Sequence, residues 1–323
     1  MRVLLCKPRY FTIPERDPDN KYMDPGNQPS VEAALSQHMA LEALYKLLGL
    51  EVKEIAPHPS LPDMTFTANS ALIIESTYRR TPTAILANFK PERRRGETEL
   101  YRDFFFHKEG LNIVSVPDHL HFEGAGDALR YKAPGKEEVI LLGYGFRTSK
   151  EVMRHIEQIT GKEVVPLQLR HPGVCGKIPY HLDTACMVFE DQETFVLYPH
   201  ALKKESLTRL EKWGNIKEAR YDDFAGLALN GLVIPKREIR VSPSRIKEDG
   251  SDTQKGPARY MCERIARSPL SLQGVVITSD RASSALEKTI GDLSHVLVRL
   301  NLGEFIKSGG GAFCLTKVLL PTT

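Results

Sequence analysis

Hydrophobic and polar positions along this chain change period every few residues, from the two-residue alternation of a strand to the three-to-four-residue spacing of a helix face. "MRVLLCKP" reads as a strand, and Ser30 is placed to cap a helix that carries Leu41, Leu44 and Leu48 on one face and stops at Gly49. Strand-like "EVKEIA", "ALIIES" and "AILANF" follow, then a helix over 97–108, then "NIVSVP". The order returns as "EVILLGYG", a helix over 150–159 and "EVVPLQL", and again as "ACMVF", "TFVLYP", a helix over 203–213 and "KEARY". After "GLVI" and "EIRVS" come "GVVITS", a helix over 283–300 and a terminal strand over 312–320. A strand, strand, helix, strand unit that recurs four or five times predicts an α/β fold arranged as a ring or array. No linker divides the chain, so one domain over 1–323 is expected, with a polar Gly/Pro-bearing loop insertion around 243–257.

Charge narrows the function classes. The 44 basic and 41 acidic residues are well mixed, apart from "ERRR" at 92–95, and this is no nucleic-acid footprint. The apolar run Val3 to Cys6 is too short for a signal peptide and no later run reaches membrane-spanning length, so a cytoplasmic, soluble protein is expected. Five scattered cysteines, Cys6, Cys175, Cys186, Cys262 and Cys314, have neither the even count of a disulfide framework nor the paired short spacings of a zinc site.

Candidate chemistry sits at strand edges. Three glycines, Gly309 to Gly311, precede Cys314; they let the backbone or a ligand come close to the sulfur, or they only make a turn beside a buried cysteine. His181 and Asp183 in "PYHLDTACMVF" are two apart at the start of an expected strand, which would aim imidazole and carboxylate into one space. A metal reading could add His119 and His121, but no helical His pair or cysteine cluster completes a ligand set. Glu123 and Asp127 flank Gly124 and Gly126 in a stretch that lacks the third glycine of a nucleotide loop. Asp63 and Asn69 precede another strand, where an Asx turn is the plainer explanation. Carboxylates that converge would repel unless a cation sits among them, and a planar guanidinium satisfies such a site, with a thiolate as nucleophile for its central carbon.

The stretches "PDMTFTANSAL", "FEGAGDAL", "GYGFRTS", "PYHLDT" and "EFIKSGGGAFCLT" resemble, in the same order, the guanidino-group-modifying (pentein) enzymes. Nearest are the arginine dihydrolases, often labelled dimethylarginine dimethylaminohydrolases, and the likeness runs over about 23–320. The resemblance implies a five-bladed pseudo-symmetric α/β propeller with its active site on the axis. It implies Cys314 as nucleophile, His181 as acid/base, and Glu123 and Asp183 around the guanidinium. Arg94 and Arg147 would bind the substrate α-carboxylate, and Asp127, Asp63 and Asp24 would line the substrate site. Asn69 stands where deiminases and typical dimethylarginine hydrolases carry aspartate; an amide can donate to the carbonyl of a ureido product and so permit a second attack.

Two positions depart from the pattern. "DPGN" stands where the dihydrolases read "NPWM", so Asp24 replaces an asparagine, and Leu227 falls where they show asparagine. The implied activity is hydrolysis of L-arginine to ornithine and ammonia through a cysteine thiouronium. The rivals are citrulline-forming hydrolysis of arginine or methylarginines, amidino transfer, and a non-catalytic binding propeller. The resemblance implies no metal or organic cofactor, a small-molecule partner, and neither nucleic acid nor membrane; a homo-oligomer is left open.

Overall fold

The computed structural model describes residues 1–78, 81–170, 176–240 and 273–320, and places fifteen strands in five three-stranded sheets. The first unit is β1 (Arg2–Cys6), α1 (Val31–Leu47) and β2 (Glu51–Ile55). The second is β3 (Ala71–Ile74), β4 (Thr83–Leu86), α2 (Glu97–His107) and β5 (Asn112–Ser115). The third is β6 (Ala128–Tyr131), β7 (Val139–Tyr144), α3 (Val152–Thr160) and β8 (Val164–Gln168). The fourth is β9 (Cys186–Phe189), β10 (Thr194–Leu197), α4 (Lys204–Leu210) and β11 (Asn215–Glu218). The fifth is β12 (Leu232–Pro235), β13 (Gly274–Ser279), α5 (Ser284–Asp292) and β14 (His295–Leu300).

Every sheet has one internal rule. The middle strand runs antiparallel to the strand before it and parallel to the strand after it. The helix lies between the two parallel strands in sequence, because parallel neighbours need a crossover connection. The first unit obtains its missing strand from the far end of the sequence: β15 (Lys317–Leu319) pairs antiparallel with β1, with Arg2 opposite Leu319 and Leu4 opposite Lys317.

Local chemistry explains the clearest boundaries. Ser30 Oγ accepts a hydrogen bond from the Ala33 N–H at 3.2 Å and caps α1, whose Leu41 and Leu44 are buried against β1 and the fifth sheet. Gly49 ends that helix at φ +79°, where a side chain would meet the Arg240 backbone at 2.8 Å.

Several expectations need correction. The helix expected over 283–300 stops at Asp292, and His295–Leu300 is a strand. Ser294, at φ +59°, makes the turn, and "HVLVRL" has the β-branched alternation that pairs with β13. The terminal strand covers only Lys317–Leu319, because 312–316 turn around the cysteine. "KEARY" gives way to a strand that begins earlier, at Asn215. "EIRVS" is not a strand as far as Arg240, and its last two residues lie outside the described ones. The insertion expected around 243–257, and Cys175 and Cys262, also lie outside the described residues.

The first strand of each unit faces a common interior. Leu72 of β3, Leu129 of β6, Val188 of β9, Leu232 of β12 and Val318 of β15 all line one cavity of about 750 Å³. The turns that enter these five strands carry the chemistry.

Candidate active site

Asn69, Glu123, Asp183, Asn230 and Cys314 each lie two to five residues ahead of one of those five strands, so five separate units deliver them to one end of the interior. Short turns do the aiming: a one-turn helix Gly124–Asp127 follows Glu123, and a 3₁₀ turn Leu182–Thr184 follows His181. His181 and Asp183 therefore reach the same space from a turn before β9, not from alternate positions of a strand. Gly310 shows what its lack of a side chain is for: a Cβ there would lie 2.1 Å from the Phe66 ring. Close backbone packing beneath Phe66 explains that glycine; a ligand path does not. Gly126 is similar, since a Cβ would come within 2.2 Å of Asn69 Nδ2.

Cys314 is 2% exposed, and its Sγ lies 3.1 Å from Asp183 Oδ2. Burial first, and the neighbouring Asp183 carboxylate second, push the thiol well above its usual range. Burial likewise pushes Asp183 up to about 7, although its bond from Cys314 pulls the other way. The thiol therefore keeps its proton and donates it to the Asp183 carboxyl. An arriving cation reverses that balance, since an opposite charge favours both anions.

On the other side of the pocket a directed chain of hydrogen bonds fixes the imidazole. Arg94 Nη1 donates to Asn69 Oδ1 at 3.1 Å; guanidinium is donor-only, so the Asn69 oxygen must face it and the amide nitrogen must face the pocket. That nitrogen lies 3.5 Å from His181 Nδ1, which accepts, leaving Nε2–H to donate to Glu123 Oε2 at 2.8 Å. Burial alone would raise the Glu123 carboxyl, but Arg147 and the bond from His181 outweigh it and hold it well below the usual carboxylate range.

Arginines neutralise the remaining acids. Arg147 Nη1 donates to both Glu123 oxygens at 3.2 and 3.3 Å, and its Nη2 to Asp17 Oδ2 at 2.7 Å. Arg93 donates through Nε to Asp63 Oδ2 at 2.9 Å and through Nη1 to the same Asp17 oxygen at 3.0 Å. Arg94, the arginine picked from the sequence, has its fork engaged by Glu97, with Nε and Nη2 each at 2.8 Å from a different carboxylate oxygen. Its neighbour Arg93 stands beside Arg147 instead. Asp127 is buried, accepts from the Leu182 N–H at 3.0 Å, and is pushed by burial up to about 7. Asp24 is not brought in: its side chain is 45% exposed and pairs with Arg16 at 2.8 Å. His119 is exposed and His121 is half-buried; among the described residues no group of three His, Cys, Asp or Glu could hold a metal ion.

Sequence reasoning missed Arg93, Asp17 and Asn230. Asn230 is fully buried; its Oδ1 accepts from the N–H groups of Gly311 at 2.8 Å and Cys314 at 3.1 Å, and its Nδ2 donates to the Asp183 carbonyl at 3.1 Å. Leu227, the departure noted above, instead packs with Tyr22, Tyr180 and Ile306 at φ +55°. The cavity enclosed by Asn69, Arg93, Arg147, His181 and Cys314 measures about 20 Å³, room for one water.

The bifunctional arginine dihydrolase/ornithine cyclodeaminase ArgZ of Synechocystis sp. is 25% identical over 322 residues, which cover 98% of this chain and 37% of that protein. The chain thus spans a little over a third of the bifunctional relatives it matches. The N(G),N(G)-dimethylarginine dimethylaminohydrolase of Mycobacterium tuberculosis is 32% identical over 209 residues, 65% of this chain and 62% of that one. The crystal structure of the product-bound N-terminal domain of ArgZ superposes with a TM-score of 0.76 at 25% identity, covering 98% of this chain and 96% of that one. The family described as N,N dimethylarginine dimethylhydrolase, eukaryotic, matches residues 7–213, and the chain belongs to that family.

Proposed function

We propose that this protein hydrolyses the guanidino group of L-arginine, taking it through citrulline to ornithine, ammonia and carbon dioxide. The observation that carries the reading is the pairing within one buried pocket of Cys314 Sγ with Asp183 at 3.1 Å and of His181 with Glu123 at 2.8 Å. Cys314 attacks the guanidinium carbon, whose positive charge beside Asp183 and Glu123 favours the thiolate. The Cys314 proton passes to the neutral His181, and the imidazolium so formed gives it to the departing amine. Water then attacks the thiouronium, passes a proton back to His181, and the C–S bond breaks to free the ureido product and the thiol. Asn69 supports the second round: Arg94 holds its oxygen, so its N–H faces the reacting centre and can donate to the ureido carbonyl.

The substrate α-carboxylate takes the place of Asp17 between Arg93 and Arg147, a site already shaped for one carboxylate. A pocket of about 20 Å³ holds no arginine, so the segment bearing Asp17 has to move for substrate to enter. Five sheets with one internal order, and a strand from each lining one cavity, support a five-bladed propeller closed by the β15–β1 pairing. We read 1–323 as one catalytic unit acting on a small molecule in the cytoplasm; no helix among the described residues is long and apolar enough to cross a membrane.

The test is product analysis by mass after incubation with arginine, citrulline and dimethylarginine. Ornithine with two ammonia per arginine is expected, and Cys314→Ala abolishes release. Citrulline as the sole product refutes the second round, and substantial turnover by Cys314→Ala refutes the nucleophile.

A further inference from the structure

The interior that carries the active site at one end holds the cavity of about 750 Å³ toward the other, lined down to Phe189, Pro235 and Leu319 at the far ends of β9, β12 and β15. Its walls combine apolar side chains of the five entering strands, such as Leu72 and Leu232, with charged ones that include Arg2, Arg130, Arg237 and Glu238. Among them stands Lys317, 2% exposed, whose Nζ donates to the carbonyl of Ala71. Among the described residues no carboxylate lies within 4.0 Å of this ammonium. The acids around the cavity are already engaged: Glu51 with Arg2 and Lys53, Glu190 and Asp191 with Arg237, and Glu238 with the N-terminal amine.

A buried lysine without a counter-charge is costly, and a chain retains such groups where something else supplies the charge. We propose that this cavity binds an organic monocarboxylate with an apolar body of a few carbons, its carboxylate paired with the Lys317 ammonium. One buried cation balances one negative charge, and the apolar part of the walls favours a hydrocarbon body over the fully hydrated surface of inorganic phosphate. Burial, reinforced by Arg130, lowers the Lys317 ammonium to about 7, as expected for a cation short of its partner. The site adjoins the catalytic end through the backbone: Lys317 is three residues past Cys314, and Ala71, which it touches, is two past Asn69.

Hexanoate is the probe, with hexanol and inorganic phosphate as controls, read by calorimetric titration and thermal shift of the full chain. Hexanoate binds the native protein, and both controls bind far more weakly. Lys317→Met, which keeps the length and removes the charge, weakens hexanoate binding by roughly tenfold to a hundredfold, the worth of one charge-assisted hydrogen bond. Val233→Phe, which fills the cavity from a half-buried wall position and leaves Lys317 in place, abolishes it, and keeps the proposal testable should Lys317→Met fail to fold. Hexanoate binding unchanged in Val233→Phe, or equal in native protein and Lys317→Met, overturns the proposal. So does the absence of hexanoate binding to the native protein, or phosphate binding as tightly.

Discussion

Removing the Asn230 side chain tests how the nucleophile is held. Asn230→Ala deletes three buried hydrogen bonds and leaves the N–H groups of Gly311 and Cys314 and the Asp183 carbonyl without those partners. Each of the three buried groups left unpaired costs about 1–3 kcal/mol, so the variant loses about 3–9 kcal/mol. That is a large share of the roughly 5–15 kcal/mol a domain has. Asn230→Asp separates stability from chemistry. It keeps an acceptor for both N–H groups but adds an anion beside a thiol that Asp183 already holds above its usual range. Its stability loss is smaller, about 1–3 kcal/mol for one broken bond and the buried charge, while alkylation of Cys314 by iodoacetamide slows at every pH. Urea unfolding followed by circular dichroism gives the first quantity, and peptide mapping of the alkylated cysteine the second. Native stability in Asn230→Ala, or native alkylation rates in Asn230→Asp, would refute the argument that this amide sets the cysteine turn.

Other outcomes follow from the same geometry. Asn69→Asp places an acceptor-only group against the ureido carbonyl, so citrulline accumulates and ornithine output falls by roughly tenfold or more, read by mass. Arg93→Gln raises KM for arginine and also costs stability, because it leaves the buried Asp63 without its arginine; Arg94→Gln strands the fully buried Glu97 and costs about 3–5 kcal/mol in urea unfolding. Asp127, raised by burial to about 7, favours its protonated form in the folded state, so its contribution is fully present below about pH 4 and is lost as pH rises to about 7. Relative to Asp127→Asn, the native protein thus loses up to about 4 kcal/mol over that range and nothing further above it, measurable by unfolding at a series of pH values. Asp183 must be ionised to hold a guanidinium, so kcat/KM climbs with pH up to about 7; a profile flat from pH 5 to 8 would contradict its role.

The repeated unit was legible because period-two and period-3.6 patterns alternate cleanly, and the buried acids were legible because each adjoins a glycine or a strand start. Cys314, His181, Glu123, Asp183 and Asn69, read from four separate stretches, are joined by side-chain contacts around one pocket. The misses have physical causes. Asp17 lies in an irregular segment with no periodicity to place it. "ERRR" offers three adjacent guanidinium groups, and only the one-turn 3₁₀ helix Glu92–Arg94 decides that Arg94 turns inward to Glu97 and Arg93 toward Asp17. Asn230 was in plain view in "LALNG", but a left-handed Leu227 puts the asparagine three residues beyond the position the resemblance pointed to. His295–Leu300 was absorbed into a helix because nothing in its letters marks the turn at Ser294 as strongly as a glycine would.

Pairing β15 with β1 has a consequence for biosynthesis. β1 leaves the ribosome roughly three hundred residues before its antiparallel neighbour β15, and the thiol lies just upstream of that late arrival. A partly translated polypeptide therefore presents acids and an imidazole but no assembled nucleophile, and the reactive sulfur is installed only with the step that completes the first sheet.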